Sequence, residues 1–243
     1  MSSRKRADLL LVERHFFPSR AQAQAAIAAG LVIADGVRVT RASDRILAEA
    51  EIVAEAEHPW VSRGGVKLAT ALKHFGFDPH GAIALDIGAS TGGFTQVLLA
   101  RGAAHVYAVD VGRDQLHATL RNDPHVTSLE QVDIRHLEAA RLSSPPSVIT
   151  IDVSFISLKH VLPAATTLAA PSARLVALIK PQFEAGRSAL KKGIVRDPAV
   201  QTAARDDIVH FTETLGWTVT GVVPSPITGG DGNVEFLLGA RRD

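Results

Sequence analysis

The chain has 243 residues, a formal net charge of +1 and a hydrophobic content of 46%. This length predicts one to two globular domains, and no apolar stretch approaches the roughly 18 residues of a membrane span. The absence of cysteine excludes disulfides and thiolate zinc sites, and the ten histidines show no paired metal spacing, so we predict no metal. The apolar run after the basic N-terminus is too short for a secretory signal. We therefore expect a cytoplasmic protein with no membrane association.

The first 58 residues predict a small α+β module. A helix is expected over 7–15, and Ser19 begins a second helix because Gln22, three residues on, completes a capping box. Gly30 is placed to end that helix in the left-handed conformation. Asp35-Gly36 then lies between two short apolar runs, which predicts a hairpin, since a type I′ turn needs positive φ at both central residues.

Basic residues dominate this module: the first 45 residues hold eight Lys or Arg against four Asp or Glu. The segments 6–10, 19–23, 30–32 and 35–36 resemble the S-four-type RNA-binding module, named after a protein of the small ribosomal subunit. In that family two helices and a hairpin present basic residues to structured RNA. The resemblance implies that Arg6, Arg20 and Arg38 contact RNA phosphates, which the planar guanidinium suits because it donates two parallel hydrogen bonds.

Proline and paired glycines at 59–65 predict an interdomain linker, which separates domain 1–58 from domain 66–243. Strands and helices alternate in the second domain, which predicts an α/β fold with a doubly wound parallel sheet. After a first helix at 66–75, a further helix is expected around 114–120. Strands are predicted at 82–85, 105–109, 127–129, 148–151, 174–179, 217–223 and 234–238, the last of them antiparallel.

The glycine turn at 85–95 follows a buried strand and opens a helix, which is the pattern of a nucleotide-type ligand site. Ser90 occupies the position of the second glycine in a dinucleotide turn, where it would crowd a pyrophosphate. The spacing also predicts carboxylates around the ligand: Asp86 for a cationic group, Asp110 for ribose hydroxyls and Asp133 for an adenine amino group. S-adenosylmethionine has these groups and no phosphate. The predicted cofactor-binding residues are Asp86, Gly88, Ser90, Gly92, Phe94, Asp110 and Asp133.

Four charged residues are predicted near the same edge of the sheet: Lys67, Asp152, Lys180 and Glu235. They resemble the lysine–aspartate–lysine–glutamate set of RNA 2′-O-methyltransferases. Taken together, the two domains and these four residues resemble the TlyA, or hemolysin A-like, family of ribosomal RNA methyltransferases. This resemblance covers nearly the whole chain. Its catalytic half more distantly resembles FtsJ-type enzymes.

The family resemblance implies a Rossmann-like class I methyltransferase that methylates cytidine riboses in ribosomal RNA, with ribosomal RNA or ribosomal subunits as partners. In the mechanism we expect, a ribose 2′-hydroxyl attacks the sulfonium methyl in line. Lys180, held by Asp152, is the candidate general base or hydroxyl-orienting group. Lys67 would supply the neighbouring cation that lets Lys180 act as a base, and Glu235 would orient one or both lysines. Which lysine takes the proton stays open.

Three other functions compete with this prediction. A pore-forming or membrane-lytic protein, suggested by the hemolysin label, is opposed by the intact cofactor turn and the lack of a spanning segment. A non-catalytic RNA-binding factor in ribosome assembly is opposed by the retention of both lysines and both carboxylates. A pseudouridine synthase can carry the same N-terminal module, but the chain shows no matching catalytic aspartate motif.

Overall fold

The computed structural model describes residues 3–186, 189–229 and 232–243. The chain divides into two compact units, Met1–Pro59 and Trp60–Asp243. Each unit has its own hydrophobic core. The assignment of 59–65 as a linker stays a prediction.

The N-terminal unit pairs two helices with two small antiparallel sheets. The helices are α1 (Ala7–Glu13) and α2 (Arg20–Ala28). The strands are β1 (Arg4–Arg6), β2 (Val32–Ala34), β3 (Val37–Arg38), β4 (Arg45–Leu47) and β5 (Ile52–Ala54), arranged as β1-β4 and β3-β2-β5. The predicted helix cap is confirmed, because the Ser19 side chain accepts a hydrogen bond from the Gln22 N–H. The hairpin is confirmed too, with φ of 48° at Asp35 and 75° at Gly36.

The C-terminal unit is built on one seven-stranded sheet. Its strands are β6 (Ile83–Ile87), β7 (His105–Asp110), β8 (Val126–Glu130), β9 (Val148–Ile151), β10 (Ala173–Ile179), β11 (Thr218–Pro224) and β12 (Phe236–Arg242). Their order is β11-β12-β10-β9-β6-β7-β8. All pairings from β10 to β8 are parallel, and β12 runs antiparallel to both its neighbours. The predicted α/β fold with an antiparallel last strand is therefore confirmed.

Helices cover both faces of this sheet because strand side chains alternate between the faces. The helices are α3 (Gly64–Phe75), α4 (Gly93–Ala100), α5 (Ala118–Arg121), α6 (Leu158–Leu168), α7 (Pro181–Glu184) and α8 (Pro198–Thr214). Leu85 and Ile87 of β6 pack in the core with residues of α6 and α8, whereas Ala84 packs with α3 and α4. Position 86 therefore shares the face of Ala84, beneath α3 and α4.

The helix predicted around 114–120 is shorter than expected. Only Ala118–Arg121 is helical. The backbone N–H groups of residues 114, 115 and 116 instead donate to the Glu130 carboxylate, at 3.1, 2.6 and 2.9 Å. These bonds, chiefly that from Leu116, hold the pKa of Glu130 below its usual value. A side chain from the next strand thus satisfies donors that a helix would otherwise leave free at its first turn.

Candidate active site

The glycine turn lies at the point where the strand order of the sheet reverses. From β6 the chain proceeds to β7 and β8 on one side, and it then returns to β9 and β10 on the other. Ligands of doubly wound sheets bind at this switch point, beyond the carboxyl ends of the strands. Gly88 has a φ of 81°, and a Cβ there would lie 2.4 Å from the Asp152 carbonyl oxygen. Only glycine allows the segments after β6 and β9 to approach so closely.

A cavity of about 520 Å³ opens on the β7 side of this point. Its walls are mainly apolar, and they include Val109, Val111, Val132, Ile134, Val153, Phe155 and Ile156. Asp110 and Asp133, both predicted cofactor ligands, line it together with Gly88 and Ser90. The Asp110 carboxylate accepts hydrogen bonds from the backbone N–H groups of Ser90 at 2.8 Å and Gly112 at 2.7 Å. Since each carboxylate oxygen can accept twice, Asp110 keeps acceptor capacity for a ligand.

Asp133 is held in place by its own neighbour. The Arg135 guanidinium donates to both Asp133 oxygens, and the Arg135 backbone N–H donates to one of them at 2.9 Å. Hydrogen bonding by the Arg135 side chain is the main reason that the pKa of Asp133 falls to about 2. Asp133 is consequently a carboxylate at neutral pH and can only accept hydrogen bonds.

The other three predicted cofactor residues do not line this larger cavity. Asp86 is fully buried and lines neither cavity; its oxygens accept from Thr95 at 2.7 Å and Thr150 at 2.9 Å. Burial raises its pKa to about 6, and the two hydroxyls partly oppose that shift. Gly92, with φ of 96°, has no room for a Cβ because Leu116 and Leu120 pack against it. Phe94 does line a second, smaller cavity.

That second cavity, about 290 Å³, contains three of the four predicted catalytic residues: Lys67, Asp152 and Lys180. It shares four lining residues with the larger cavity: Gly88, Ser90, Asp152 and Ser154. The two cavities therefore adjoin at the glycine turn. A ligand in the larger cavity can present one end to the two lysines.

The predicted catalytic residues form two ion pairs, one buried and one partly buried. Lys180 Nζ lies 2.6 Å from Asp152 Oδ1 and donates to Ser154 Oγ at 3.0 Å. Lys67 Nζ donates to Glu235 Oε2 at 2.5 Å. Lys67 and Lys180 are each 8% exposed, and Glu235 is 3% exposed. Lys67 belongs to α3, while Asp152 and Lys180 directly follow β9 and β10. Glu235 directly precedes β12, although it was expected inside that strand.

Sequence reasoning missed several residues of this site. Thr95 and Thr150 hold Asp86, and Ser154 adds a hydroxyl to the Lys180 pair. Thr150 was not predictable, because its place opposite Asp86 depends on the register in which β6 and β9 pair in the sheet. Arg63, an exposed cation beside the predicted linker glycines, also lines the smaller cavity.

The N-terminal unit holds a separate cluster around Asp8, whose side chain is fully buried. Arg6 donates through its Nε and Nη2 to the two Asp8 oxygens. Arg20 donates through its own Nε and Nη2, both to Asp8 Oδ2, and the Gln24 amide donates to the same oxygen at 2.9 Å. The hydrogen bonds from Arg6 are the largest cause of the lowered pKa of Asp8. The structure thus joins Arg6 and Arg20, while Arg38 lies exposed on β3 with its guanidinium beside Gly30.

The described residues contain neither a cluster suited to a metal ion nor a helix suited to a membrane. No group of three or more His, Cys, Asp or Glu side chains there is arranged to hold a metal ion. None of the described helices combines the length and the apolar character of a membrane span.

Comparison with known proteins places both units in families. Residues 60–242 match the FtsJ-like methyltransferase family and residues 5–52 match the S4 domain. The chain is 42% identical over 244 aligned positions to the 16S/23S rRNA (cytidine-2′-O)-methyltransferase TlyA of Mycobacterium tuberculosis, covering 99% of this chain and 91% of that protein. It is 39% identical to Hemolysin A of Brachyspira hyodysenteriae over 96% of this chain and 98% of the relative.

A solved structure from Streptococcus thermophilus, which carries the name hemolysin, superposes on the chain with a TM-score of 0.78. It is 41% identical, and the match covers 100% of this chain and 90% of that one. The sheet order and the cavities at the switch point are consistent with these matches. The chain belongs to the FtsJ-like methyltransferase family and carries an S4 domain at its N-terminal end.

Proposed function

We propose that this protein transfers the methyl group of S-adenosylmethionine to the ribose 2′-hydroxyl of cytidine in ribosomal RNA. The observation that carries the proposal is the junction of the two cavities. One has apolar walls and two carboxylates, the other holds two lysine–carboxylate pairs, and Gly88, Ser90, Asp152 and Ser154 line both.

The larger cavity suits S-adenosylmethionine by its chemistry. Its apolar walls fit an adenine ring, and Asp110 has acceptor capacity for ribose hydroxyls. Asp133 lines the same cavity and is our candidate partner of the adenine amino group, which would compete with Arg135 for its oxygens. A volume of about 520 Å³ falls in the range of small-molecule sites. Asp86 contributes differently from our expectation: being buried beneath α4, it supports the turn through Thr95 and Thr150.

When bound, S-adenosylmethionine supplies an electrophilic methyl group on a sulfonium centre. In the reaction we propose, Lys180 reacts as the neutral amine: it orients the 2′-hydroxyl and accepts its proton while the oxygen forms a bond to the methyl carbon. The carbon–sulfur bond breaks, and its electron pair stays on sulfur. Asp152, 2.6 Å from Lys180 Nζ, fixes the amine and stabilises the ammonium that forms. Lys67, held by Glu235, contributes positive charge to the same cavity, favouring an alkoxide-like oxygen.

Arg6, Arg20 and Arg38 of the S4 domain are our candidates for RNA phosphate contacts. The nature of the substrate comes from relatives such as the M. tuberculosis TlyA, whose name specifies cytidine in 16S and 23S rRNA. We accordingly propose ribosomal RNA, free or in ribosomal subunits, as the partner, and the cytoplasm as the location. We propose no metal for the reaction, since the lysine pairs supply its positive charge.

Methylation mapping tests this function. Ribosomal RNA and subunits lacking the modification are incubated with the protein and labelled S-adenosylmethionine, and modified riboses are located by resistance to alkaline cleavage. We expect label at cytidine 2′-oxygens. RNA binding without any transfer would favour the assembly factor instead. Lysis of erythrocytes by wild type and Lys180→Ala alike would favour the membrane-active alternative.

The cofactor site has its own test in calorimetry with S-adenosylmethionine. Asp110→Ala removes the acceptor for the ribose and should weaken binding about tenfold or more. Asp123→Ala is the control, because Asp123 belongs to the loop before β8 and lines neither cavity. Equal affinity in the two variants would remove Asp110 from the site.

A further inference from the structure

Two segments of the chain, each beginning with a residue of the Lys180–Asp152 pair, contact each other at both of their ends. The first, the Asp152 segment, is 152–157 between β9 and α6; the second, the Lys180 segment, is 180–184 after β10. At their inner ends Lys180 contacts Asp152 and Ser154. At their outer ends Ser157 Oγ donates to Glu184 Oε2 at 2.5 Å, and the Leu158 backbone N–H donates to Glu184 Oε1 at 2.9 Å.

The middle of the Asp152 segment has an uncommon backbone conformation. Phe155 has a φ of 65°, and its side chain is 91% exposed. A bulky residue keeps a left-handed conformation only where its surroundings determine it. Burial does not hold this ring, whose one aromatic neighbour among the described residues is Phe183, at 5.2 Å between centroids. The contacts at the two ends of the segment, together with the packing of Val153 and Ile156 against the core, therefore fix its course.

The outer contact connects three parts of the protein. Ser157 is the N-cap of α6, since its Oγ accepts from the Lys159 N–H at 3.1 Å while donating to Glu184. The α6 helix is anchored in the core of the sheet through Leu158, Val161 and Leu162. Glu184 thereby ties the Lys180 segment to a rigid helix, four residues beyond the lysine.

We propose that Glu184 and Ser157 are positioning residues for methyl transfer. Their contact, together with the bond from Leu158 to Glu184, fixes the Lys180 segment against the Asp152 segment, and so sets the placement of Lys180 Nζ against Asp152. This inference rests on the proposed function. Small misplacement of a reacting group is costly in rate, so losing the outer contact should lower the chemical step about 10- to 100-fold.

The test is a single-turnover assay with saturating S-adenosylmethionine and ribosomal RNA, together with thermal unfolding of each full-length variant. Glu184→Gln cannot accept at both oxygens, and Ser157→Ala removes the donor. Each should be slow, and the double variant should be no slower than the slower single variant, because both lose one contact. Ser157→Thr keeps the hydroxyl and should restore the rate to within about threefold of wild type.

Asp197→Ala is the matched control. It removes another N-cap, on α8, where the Asp197 side chain accepts from the Ala199 N–H at 2.9 Å. It should lower the melting temperature as Ser157→Ala does, without slowing methyl transfer. Calorimetry adds a readout independent of turnover: because residues 153–156 line the larger cavity, Glu184→Gln should bind S-adenosylmethionine a few-fold more weakly.

The outcomes separate the two proposals. If wild type transfers methyl groups and Glu184→Gln does so equally fast, the positioning role is wrong, whatever happens to its melting temperature. If Glu184→Gln does not fold, an unchanged rate in Ser157→Ala overturns the inference in the same way. Absence of transfer by wild type on every ribosomal substrate would instead refute the proposed function itself.

Discussion

The two units of this protein use buried charge in opposite ways. In the N-terminal unit the carboxylate is buried and the cations are exposed: the Asp8 side chain is fully buried, while those of Arg6 and Arg20 are 42% and 54% exposed. In the C-terminal unit the cations are buried as well, with Lys67 and Lys180 each 8% exposed at the wall of a cavity.

This difference separates residues suited to binding, the arginines around Asp8, from residues suited to chemistry, the lysines of the cavity. An arginine that uses its Nε and Nη2 on Asp8 still has Nη1 to offer to a phosphate, and its orientation is already fixed. A lysine held inside a small cavity can act only on a group that enters the cavity. The N-terminal cluster suits recognition of a repeated anion, and the C-terminal pairs suit one reacting atom.

The largest effect is expected at Lys180. Lys180→Ala should reduce single-turnover methyl transfer about 10²- to 10⁴-fold, the usual contribution of a general base. S-adenosylmethionine should stay bound, because Asp110 and the turn form the cofactor site that we propose. Lys180→Arg should recover little, since a guanidinium keeps its proton. A near-normal rate in Lys180→Arg would rule out proton abstraction by this residue, and loss of cofactor binding in Lys180→Ala would indicate a structural lysine.

The pair of Lys67 and Glu235 gives the next largest effect. Glu235→Gln leaves Lys67 without its counter-charge in a closed environment, so both stability and rate should fall. We expect a rate loss of about tenfold or more at saturating substrate, with unchanged affinity for RNA. Glu213→Gln on α8 serves as the control for loss of a carboxylate. A Glu235→Gln variant with lower stability and full activity would limit this pair to a structural role.

Exposed arginines should change affinity and not the chemical step. Arg20→Gln should weaken binding to ribosomal RNA, and it should reduce the slope of log affinity against log salt by about 1. Arg174→Gln, an arginine of the sheet paired with Asp243, is the matched control. The comparison between the units would fail if Arg20→Gln slowed single-turnover transfer at saturating RNA.

The smallest effect concerns the pH dependence of stability around Asp8. Its pKa is lower in the folded protein than in the unfolded chain, chiefly because of Arg6. The resulting stabilisation is complete above the unfolded value, about 4, and is lost as the pH falls through the folded value. The difference in melting temperature between wild type and Asp8→Asn should therefore be constant above about pH 5 and shrink below it. A pH-independent difference would show that charge at Asp8 is unimportant.

Local sequence patterns predicted much of the fold because their causes are local. The Ser19 cap and the Asp35-Gly36 turn each depend on residues within a few positions of one another. Alternation of strands and helices similarly predicted the parallel sheet. The helix around 114–120 failed because Glu130, beyond the reach of any local pattern, binds the backbone that would have formed its first turn.

The candidate site, like the fold, could be predicted from the sequence only in part. Lys67, Asp152, Lys180 and Glu235 were selected by family resemblance and by their predicted places at strand and helix ends. The contact of Lys180 with Asp152 was expected, but which lysine Glu235 binds was not predictable, since Lys67 and Glu235 are 168 residues apart in sequence. Asp86 was expected at the ligand, but the alternation of side chains along β6 turns it toward α4, where Thr95 and Thr150 bind it.

The sequence by itself determined the order of the elements, the glycine turn and the residue types available for chemistry, because these depend on spacing and on local backbone preference. Only the tertiary structure decided which charges meet. Arg6 and Arg20 share Asp8, Glu235 binds Lys67, and Glu184 binds Ser157. Each of these contacts is set by the packing of helices and strands, which brings distant side chains within about 3 Å of one another.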